Sequence, residues 1–300
     1  MRCRHSNVKF TRHPDIDVEP WRARFTSEAG ELAEDPLLLP LLRDLAASIR
    51  EARAEQVLTV SVAGSQGSGK TTMTHLLARL SERYFGVKTA VLSLDDFYLP
   101  RAERQRLAAE IHPLLETRGV PGTHDIALMS DTLAALRARK AVRLPRFDKA
   151  TDDRATEWSL QSPVDVVLCE GWCWGAQPQP VDALAKPINQ LEARQDPEGR
   201  WRLFVNESLA AYQDAFRADG SVFLRAPSME AVFRWRWQQE QDLAAMGRTG
   251  AGIMSETQIR GFVAYYERIT RWMLEIQPGN VDVCINLLEN HRIGDARGFR

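Results

Sequence analysis

The residues best suited to chemistry form a glycine-rich stretch near the first quarter of the chain. Residues 64–72 read Gly-Ser-Gln-Gly-Ser-Gly-Lys-Thr-Thr and fit the pattern G-x-x-x-x-G-K-[ST] of a phosphate-binding loop. The glycines allow a turn that aims successive backbone N–H groups at phosphate oxygens, and a following helix adds the positive end of its dipole. Lys70 is expected to reach the β- and γ-phosphates, and Thr71 to hold Mg²⁺ through its hydroxyl. The predicted nucleotide-binding residues are Gly64, Ser65, Gln66, Gly67, Ser68, Gly69, Lys70, Thr71 and Thr72.

The flanks of this loop have the pattern that a phosphate-binding loop requires. Residues 57–63 form an apolar, β-branched run, which predicts a buried parallel strand. Behind the loop, one face of a predicted helix carries Met73, Leu76, Leu77 and Leu80. An ordinary Gly/Ser loop with a solvated lysine is the alternative. The order of strand, loop and helix favours a site for nucleoside triphosphate.

Carboxylates follow two further predicted strands. Asp95 and Asp96 come at the end of strand 88–94, and Glu170 ends the apolar run 163–169. Because ligands of parallel sheets bind at the carboxyl ends of the strands, these acids are expected near the phosphate loop. Phosphoryl transfer needs cations to neutralise charge and a carboxylate to accept the proton of the attacking hydroxyl. Asp95 is the predicted base with Asp96 as the competing candidate, and Glu170 is a predicted Mg²⁺ ligand; a turn-forming or capping role is the alternative for each.

The composition limits the class of protein. Of 300 residues, 44% are hydrophobic and 26% charged, which is typical of a globular protein with a sizeable core. The net charge of −1 gives no field that attracts nucleic acid or an anionic membrane. The N-terminus lacks the apolar core of a signal peptide, and no apolar run reaches transmembrane length. The four cysteines form no C-x-x-C pair, so we expect reduced thiols in a cytoplasmic protein that binds neither nucleic acid nor membrane.

Strands and helices alternate along most of the chain. Helices are predicted from Pro40 to near Arg53, over 101–110, from Ile126, over 228–246, and from a capping box at Ser255 and Gln258. Further strands are predicted at 142–145, 221–225 and 281–287, and a loop or lid at 174–187. This alternation predicts an α/β fold, the P-loop NTPase fold, with a mostly parallel sheet sandwiched by helices and with helical additions. Residues 1–35 are predicted to form an N-terminal arm and residues 36–300 a single domain.

Several longer segments resemble a known family. Residues 91–98, 112–125, 145–149 and 170–172 resemble the plant-type D-glycerate 3-kinase family, which belongs with uridine kinase, phosphoribulokinase and pantothenate kinase. The resemblance covers about residues 55 to 290 and implies ATP-dependent phosphorylation of a hydroxyl on a small molecule, with ATP and Mg²⁺ as cofactors. It places Asp95 at the position of the catalytic base and Glu170 at that of the metal-linked acid. It also implies that Arg236 joins Lys70 and Asp95 as a catalytic residue, brought over the phosphates as a lid closes.

Substrate contacts follow from the chemistry of glycerate, whose carboxylate suits a bidentate arginine. The candidate substrate-binding residues are Asp95, Tyr98, Arg118, His124, Asp125, Arg146 and Lys149, with Arg154 as a further basic candidate. A solvated or structural charge is the alternative for each basic residue, and a structural loop role for His124. Trp235 and Trp237 are of a type that stacks on a base, although core positions are the favoured interpretation.

Three classes of function remain open at this point. The leading hypothesis is a cytoplasmic ATP-dependent kinase of a small molecule, with D-glycerate as the best substrate and another sugar acid, nucleoside or vitamin precursor as alternatives. A nucleotide-controlled ATPase or switch acting on a protein partner is the second, although no Asn-Lys-x-Asp segment is present. A nucleic-acid-directed enzyme is the third, and the near-neutral charge argues against it. The oligomeric state is left open.

Overall fold

Six strands form the central sheet of the computed structural model, which describes residues 7–53, 56–245 and 254–300. The strands are β1 (Leu58–Gly64), β2 (Thr89–Ser93), β3 (Val142–Leu144), β4 (Phe147–Asp148), β5 (Asp153–Arg154), β6 (Ser159–Gln161), β7 (Val166–Gly171), β8 (Gly220–Arg225), β9 (Val283–Leu287) and β10 (Ile293–Arg297). The helices are α1 (Glu19–Ala29), α2 (Leu38–Ala52), α3 (Lys70–Phe85), α4 (Arg101–Glu110), α5 (Ile126–Arg137), α6 (Gln190–Gln195), α7 (Arg200–Tyr212), α8 (Met229–Ala245) and α9 (Glu256–Ile276).

The strand order of the central sheet is β10-β9-β8-β1-β7-β2. Five of these strands are parallel, and β10 pairs with β9 in the antiparallel direction. In the register of β7, Glu170 lies beside Val62 of β1 and Ser93 of β2. The carboxyl ends of these three strands therefore share one edge of the sheet, and the loop after β1 leaves from its interior.

Burial explains why these segments become strands and helices. Every residue of β1 and of β7 is buried, as expected for apolar strands covered on both faces. Separate hydrophobic clusters pack on the two sides of the sheet. In α2 the predicted inward positions Leu41, Leu42 and Leu45 are almost fully buried. The predicted α/β P-loop fold with a mostly parallel sheet between helices is confirmed, as is the capping box at Ser255.

Four strands were not predicted, and one predicted strand lies outside the central sheet. The segment at 142–145 does contain β3, but β3 pairs only with β6 in a separate two-stranded antiparallel sheet. The pair β4 and β5 forms a second small sheet of two residues per strand, too short for a recognisable period. The strand β10 alternates poorly between buried and exposed residues, so its sequence carries no strand signal.

The N-terminal segment packs onto the sheet over its described part. Val8 N donates to Asp219 O at 3.0 Å, and Arg300 N donates to Phe10 O at 2.9 Å. Val8, Phe10 and Phe25 are buried in the hydrophobic cluster that also contains α2. Residues 1–6, including Cys3, lie outside the described residues. The division of the chain at residue 35 stays a prediction.

The proline-containing stretch 174–187 is a loop held against the helices. Trp272 Nε1 donates to Gln177 O at 3.0 Å, and Asn206 exchanges hydrogen bonds with the backbone of Gln179 at 2.7 and 3.0 Å. None of its residues lines the large cavity described below, so the structure favours the loop over the lid. Helix α8 ends at Ala245, and position 246 of the predicted helix lies outside the described residues. None of the described helices combines the length and apolar character needed to cross a membrane.

Candidate active site

The glycine-rich loop joins β1 to α3 and adopts the backbone conformation that its glycines permit. Gly67 and Gly69 have φ values of 74° and 80°, a region in which a side chain would be strained. A Cβ at Gly67 would also lie 2.8 Å from Cβ of Trp235. Helix α3 begins at Lys70, so its N-terminus points into the same cavity as the loop.

Polar side chains of this loop are buried without partners in the described part of the chain. They are Ser65 Oγ, Gln66 Oε1 and Ser68 Oγ. Buried polar atoms almost always have hydrogen-bond partners, so unpaired ones at a helix N-terminus indicate a missing ligand. Lys70 Nζ lies 3.4 Å from Ser65 O at the cavity wall. The loop therefore fits the phosphates of a nucleotide.

A histidine and a tryptophan hold the loop from behind. His291 Nε2 lies 3.0 Å from Gly67 O, and the His291 ring stacks on Trp235 at 4.4 Å between centroids. Trp235 Nε1 donates to Glu289 O at 2.8 Å, which ties α8 to the turn between β9 and β10. Burial lowers the pKa of His291, so the ring is neutral at pH 7. His291 was not predicted, although Glu289 and Asn290 directly before it belong to the segment that resembles the D-glycerate 3-kinase family.

Arg236 follows Trp235 on α8 and lines the cavity beside the loop. Its Nη1 lies 2.6 Å from Glu240 Oε2, and its guanidinium lies 5.3 Å from the ring centroid of Phe262. Trp235 is 3% exposed and packs on the loop, which supports a core role over base stacking. Trp237 is partly buried against the same hydrophobic cluster.

Asp95 lies at the carboxyl end of β2, in a 3₁₀ turn, and lines the same cavity as Lys70. Lys149 Nζ lies 2.6 Å from its Oδ2, and the Tyr98 hydroxyl donates to its Oδ1 at 2.8 Å. Burial would raise the pKa of Asp95, but Lys149, Lys70 and the Tyr98 hydrogen bond outweigh it and lower the pKa to about 2. The carboxylate is therefore ionised at neutral pH.

Asp96 is placed differently from its neighbour. Its Oδ1 accepts a hydrogen bond from Phe147 N at 3.1 Å, and it does not line the cavity. Burial raises its pKa. This geometry favours Asp95 over Asp96 as the base.

Thr71 and Glu170 are the predicted metal ligands. Thr71 lines the cavity, whereas Glu170 is buried under the strand ends and accepts a hydrogen bond from Ser93 Oγ at 2.6 Å. Among the described residues no group of three His, Cys, Asp or Glu side chains is arranged to hold a metal ion. Magnesium in phosphate sites is bound by one or two protein oxygens together with phosphate and water, and the Thr71 hydroxyl is such an oxygen at the cavity. Glu170 does not line the cavity, so its part in binding the metal stays a prediction.

Three of the predicted substrate-binding residues besides Asp95 line the cavity. They are Tyr98, Arg118 and Lys149. Arg118 forms an ion pair with Asp152, and the Arg118 guanidinium lies 5.3 Å from the Phe147 ring centroid. Asp152 has a φ of 56°. Lys70 and Arg236 line the same cavity, so four of its cations lie within reach of one ligand, three of them already paired with carboxylates.

The other predicted substrate-binding residues do not line the cavity. His124 is 5% exposed, and its Nδ1 lies 2.9 Å from the Tyr212 hydroxyl while its ring stacks on Tyr98 at 4.6 Å. Burial lowers the pKa of His124 to about 3, so the ring is neutral and supports Tyr98 from behind.

Asp125, Arg146 and Arg154 also lie away from the cavity. Asp125 Oδ1 accepts from Leu128 N at 2.9 Å and caps α5, while its Oδ2 accepts from Arg154 Nη2 at 3.1 Å. Arg154 also donates to Tyr98 O at 3.1 Å, and Arg146 is exposed. Asp125 and Arg154 therefore hold the loop that carries Tyr98.

We call the part of the cavity lined by Asp95, Tyr98, Arg118 and Lys149 the acceptor side. It also contains residues that were not among the predicted substrate-binding residues. Trp172 and Tyr266 line it, with ring centroids 4.9 Å apart, and Trp172 Nε1 donates to Gly119 O at 2.9 Å. The signal for Trp172 was its place directly after Glu170 and Gly171 at a strand end. The whole cavity has a volume of about 1,490 Å³, which exceeds the range of a single small-ligand pocket and leaves room for a nucleotide and an acceptor.

Several known proteins are similar to this chain. The model of the phosphoribulokinase/uridine kinase family matches residues 59–185. The chloroplastic D-glycerate 3-kinase of Arabidopsis thaliana is 34% identical over 225 residues, which cover 70% of this chain and 46% of that protein. The uncharacterized kinase mug58 of Schizosaccharomyces pombe is 35% identical over 222 residues, 69% of this chain and 77% of that one. The structure of D-glycerate 3-kinase from Cryptococcus neoformans superposes with a TM-score of 0.72 at 26% identity, covering 86% of this chain and 99% of that one.

The phosphate-binding loop follows the carboxyl end of an interior parallel strand, and the ionised Asp95 lines the same cavity. These features are typical of P-loop kinases. The chain belongs to the same family as the kinase mug58, of which it covers 77% at 35% identity, and its residues 59–185 match the phosphoribulokinase/uridine kinase family model. It spans about half the length of the Arabidopsis relative.

Proposed function

We propose that this protein transfers the γ-phosphoryl group of ATP to a hydroxyl of a small molecule, with D-glycerate as the best substrate and 3-phosphoglycerate as the product. The observation that carries the proposal is the ionised Asp95 in one cavity with the phosphate loop and Lys149. A carboxylate in the same cavity as the phosphate loop suits an alcohol acceptor, whose proton it would accept.

Each residue has a defined part in the proposed reaction. Asp95 accepts the proton of the attacking hydroxyl while the new O–P bond forms and the bond to the leaving ADP breaks. Lys70 and Arg236 stabilise the negative charge that spreads over the transferred group. Thr71 and Glu170 are the residues that would hold Mg²⁺, which when bound neutralises charge on the phosphate oxygens.

The cations of the acceptor side support an acidic substrate. Arg118 and Lys149 face the cavity, but each is already paired with a carboxylate, Asp152 and Asp95 respectively. A substrate carboxylate therefore competes with Asp152 for the Arg118 guanidinium, whose planar fork suits two carboxylate oxygens. The names of two similar proteins, from Arabidopsis and Cryptococcus, make D-glycerate the acid to test first. A cytoplasmic location is part of this proposal.

The test is ADP release by the purified protein with ATP and Mg²⁺ against D-glycerate, L-glycerate, uridine, pantothenate and ribulose 5-phosphate. A control without acceptor and the Asp95→Asn variant are run beside it. We expect D-glycerate to stimulate ADP release in the wild type only. Stimulation by another compound would change the proposed substrate and leave the proposed mechanism unchanged. ATP hydrolysis that no acceptor stimulates would favour a nucleotide-controlled switch acting on a protein partner.

A further inference from the structure

The cavity extends past the phosphate loop into a compartment whose wall combines apolar side chains with the acidic ones of Glu31, Glu34 and Asp35. Its apolar side chains come from three parts of the chain. Leu32 and Leu38 belong to the segment before and at the start of α2, Met73 and Leu76 to α3, and Ile293 to β10. These side chains line the same continuous cavity as the phosphate loop. Neither the phosphates nor a small hydroxy acid gives an apolar wall a role.

Hydrogen bonds connect this compartment to the phosphate loop over a short path. His291 Nε2 lies 3.0 Å from Gly67 O, and two residues later Ile293 N donates to Asp35 Oδ2 at 2.6 Å. Two residues of extended chain span at most about 7 Å. The segment at residues 31–38 is therefore anchored close to the residue that holds the loop, within reach of the rest of a nucleotide bound by its phosphates.

The anchoring also fixes the shape of the compartment. Asp35 Oδ1 accepts from Leu37 N at 2.9 Å, and Arg292 Nη2 lies 3.7 Å from Glu34 Oε2. Asp35 is 9% exposed, so both of its oxygens are used inside the protein. The wall at residues 31–38 is thus preformed and does not depend on bound ligand for its position.

We propose that Leu32 and Leu38, together with the turn between β9 and β10, form the subsite for the base of the nucleotide, and that Leu32 contacts a face of the base. This inference rests on the proposed function, since it assumes a nucleoside triphosphate at the loop. A nucleobase has two apolar faces and a polar edge, which matches leucine side chains bordered by Glu31 and Glu34. Leu32 is 37% exposed, and burial against a base removes that apolar surface from water.

Two leucines of the same segment provide a matched pair of variants. Leu32 lines the cavity, whereas Leu37 is 45% exposed and does not. Calorimetric titration with ATP and with inorganic tripolyphosphate would be made on the wild type, Leu32→Ala, Leu37→Ala and Leu32→Met. We expect Leu32→Ala to weaken ATP binding by about tenfold and to leave tripolyphosphate binding unchanged. Leu37→Ala should match the wild type with both ligands, and Leu32→Met should bind ATP nearly as well as the wild type.

Other outcomes would overturn the inference. Equal ATP affinity in Leu32→Ala and Leu37→Ala would remove Leu32 from the base subsite and overturn the inference. Equal loss of ATP and tripolyphosphate binding in Leu32→Ala would show an effect on the phosphate loop instead. Tight binding of ATP by the wild type without stimulated phosphoryl transfer would refute the proposed function and leave the subsite standing, so the two failures are distinguishable.

Discussion

The phosphate side and the acceptor side of the cavity are built in different ways. The phosphate side is one contiguous stretch, Gly64–Thr72, whose backbone is fixed between a fully buried strand and a helix N-terminus. The acceptor side gathers side chains from separate loops and helices, and ion pairs such as Lys149 with Asp95 hold them in place. A backbone site recognises a group common to all nucleotides, whereas a site made of side chains from many elements can change its specificity by single substitutions.

The largest effect on turnover is expected from replacing Lys70, the lysine of the phosphate loop. Lys70→Ala should lower turnover by on the order of a thousandfold, because a developing negative charge loses its cation. The free energy of unfolding should hardly change, since Lys70 points into the cavity. Turnover and urea denaturation would be measured beside Lys88→Ala, which removes an exposed lysine outside the cavity. Full activity of Lys70→Ala would exclude the loop from the reaction.

Two adjacent carboxylates test the acceptor side. Asp95→Asn should lower turnover by roughly a hundredfold or more, because the general base is lost, while ATP binding remains nearly intact. Asp96→Asn removes a carboxylate that does not line the cavity, so its effect on turnover should be much smaller. Steady-state kinetics and ATP titration of both variants give the comparison. A larger loss in Asp96→Asn would assign the base to Asp96.

The Lys149 ion pair predicts a change in pH dependence. Lys149 is the strongest of the groups that lower the pKa of Asp95, so its loss disfavours the carboxylate and raises that pKa. For Lys149→Met we therefore expect the acidic limb of kcat/KM to move upward into the range of about pH 4 to 6, while the wild type shows no limb from Asp95 there. The KM for an acidic acceptor should rise by about tenfold.

Arg146 provides the control for this shift. It lies three residues away on the other side of β4 and, unlike Lys149, does not line the cavity. Arg146→Gln should keep the pH profile and the acceptor KM of the wild type. A Lys149→Met profile identical to that of the wild type would show that Asp95 is not the group whose ionisation limits the rate.

The smallest effect is expected at His291, which acts through the phosphate loop as a positioning residue. His291→Phe keeps the ring on Trp235 but loses the contact with Gly67 O, so the KM for ATP should rise by about fivefold with little change in kcat. His291→Gln retains an N–H donor and should stay closer to the wild type. Both replacements carry similar strain at a φ of 65°. Equal KM values in the two variants would mean that the hydrogen bond has no part in nucleotide binding.

The same contrast explains what the sequence could predict. The loop at 64–72 and the buried strands β1 and β7 depend on local patterns and near neighbours. The bounds of β1 were predicted to within one residue, and those of β7 to within three. The acceptor side depends on which way each loop side chain points. His124 and Arg118 come from one turn-rich loop, yet His124 packs into the core beside Tyr212 and Arg118 faces the cavity. Only the packing of distant helices decides between these orientations.

Other residues carried no pattern at all. His291 lies in a turn and contacts Gly67 across most of the length of the chain. Asp35 belongs to a segment without periodicity. Its role depends on the hydrogen bond that its Oδ2 accepts from Ile293 N, which the sequence does not predict. Contacts of this kind join residues far apart in sequence, and single-sequence patterns report only local periodicity.

The interior position of β1 has a consequence for how the chain is made. Its partners β7 and β8 begin only at Val166 and Gly220, so the strand that carries the phosphate loop emerges from the ribosome long before either neighbour. Parallel pairing over such separations is slow, because loops must close before the contacts form. During synthesis β1 is an unpaired apolar edge, the kind of surface that chaperones cover and that aggregates when they do not.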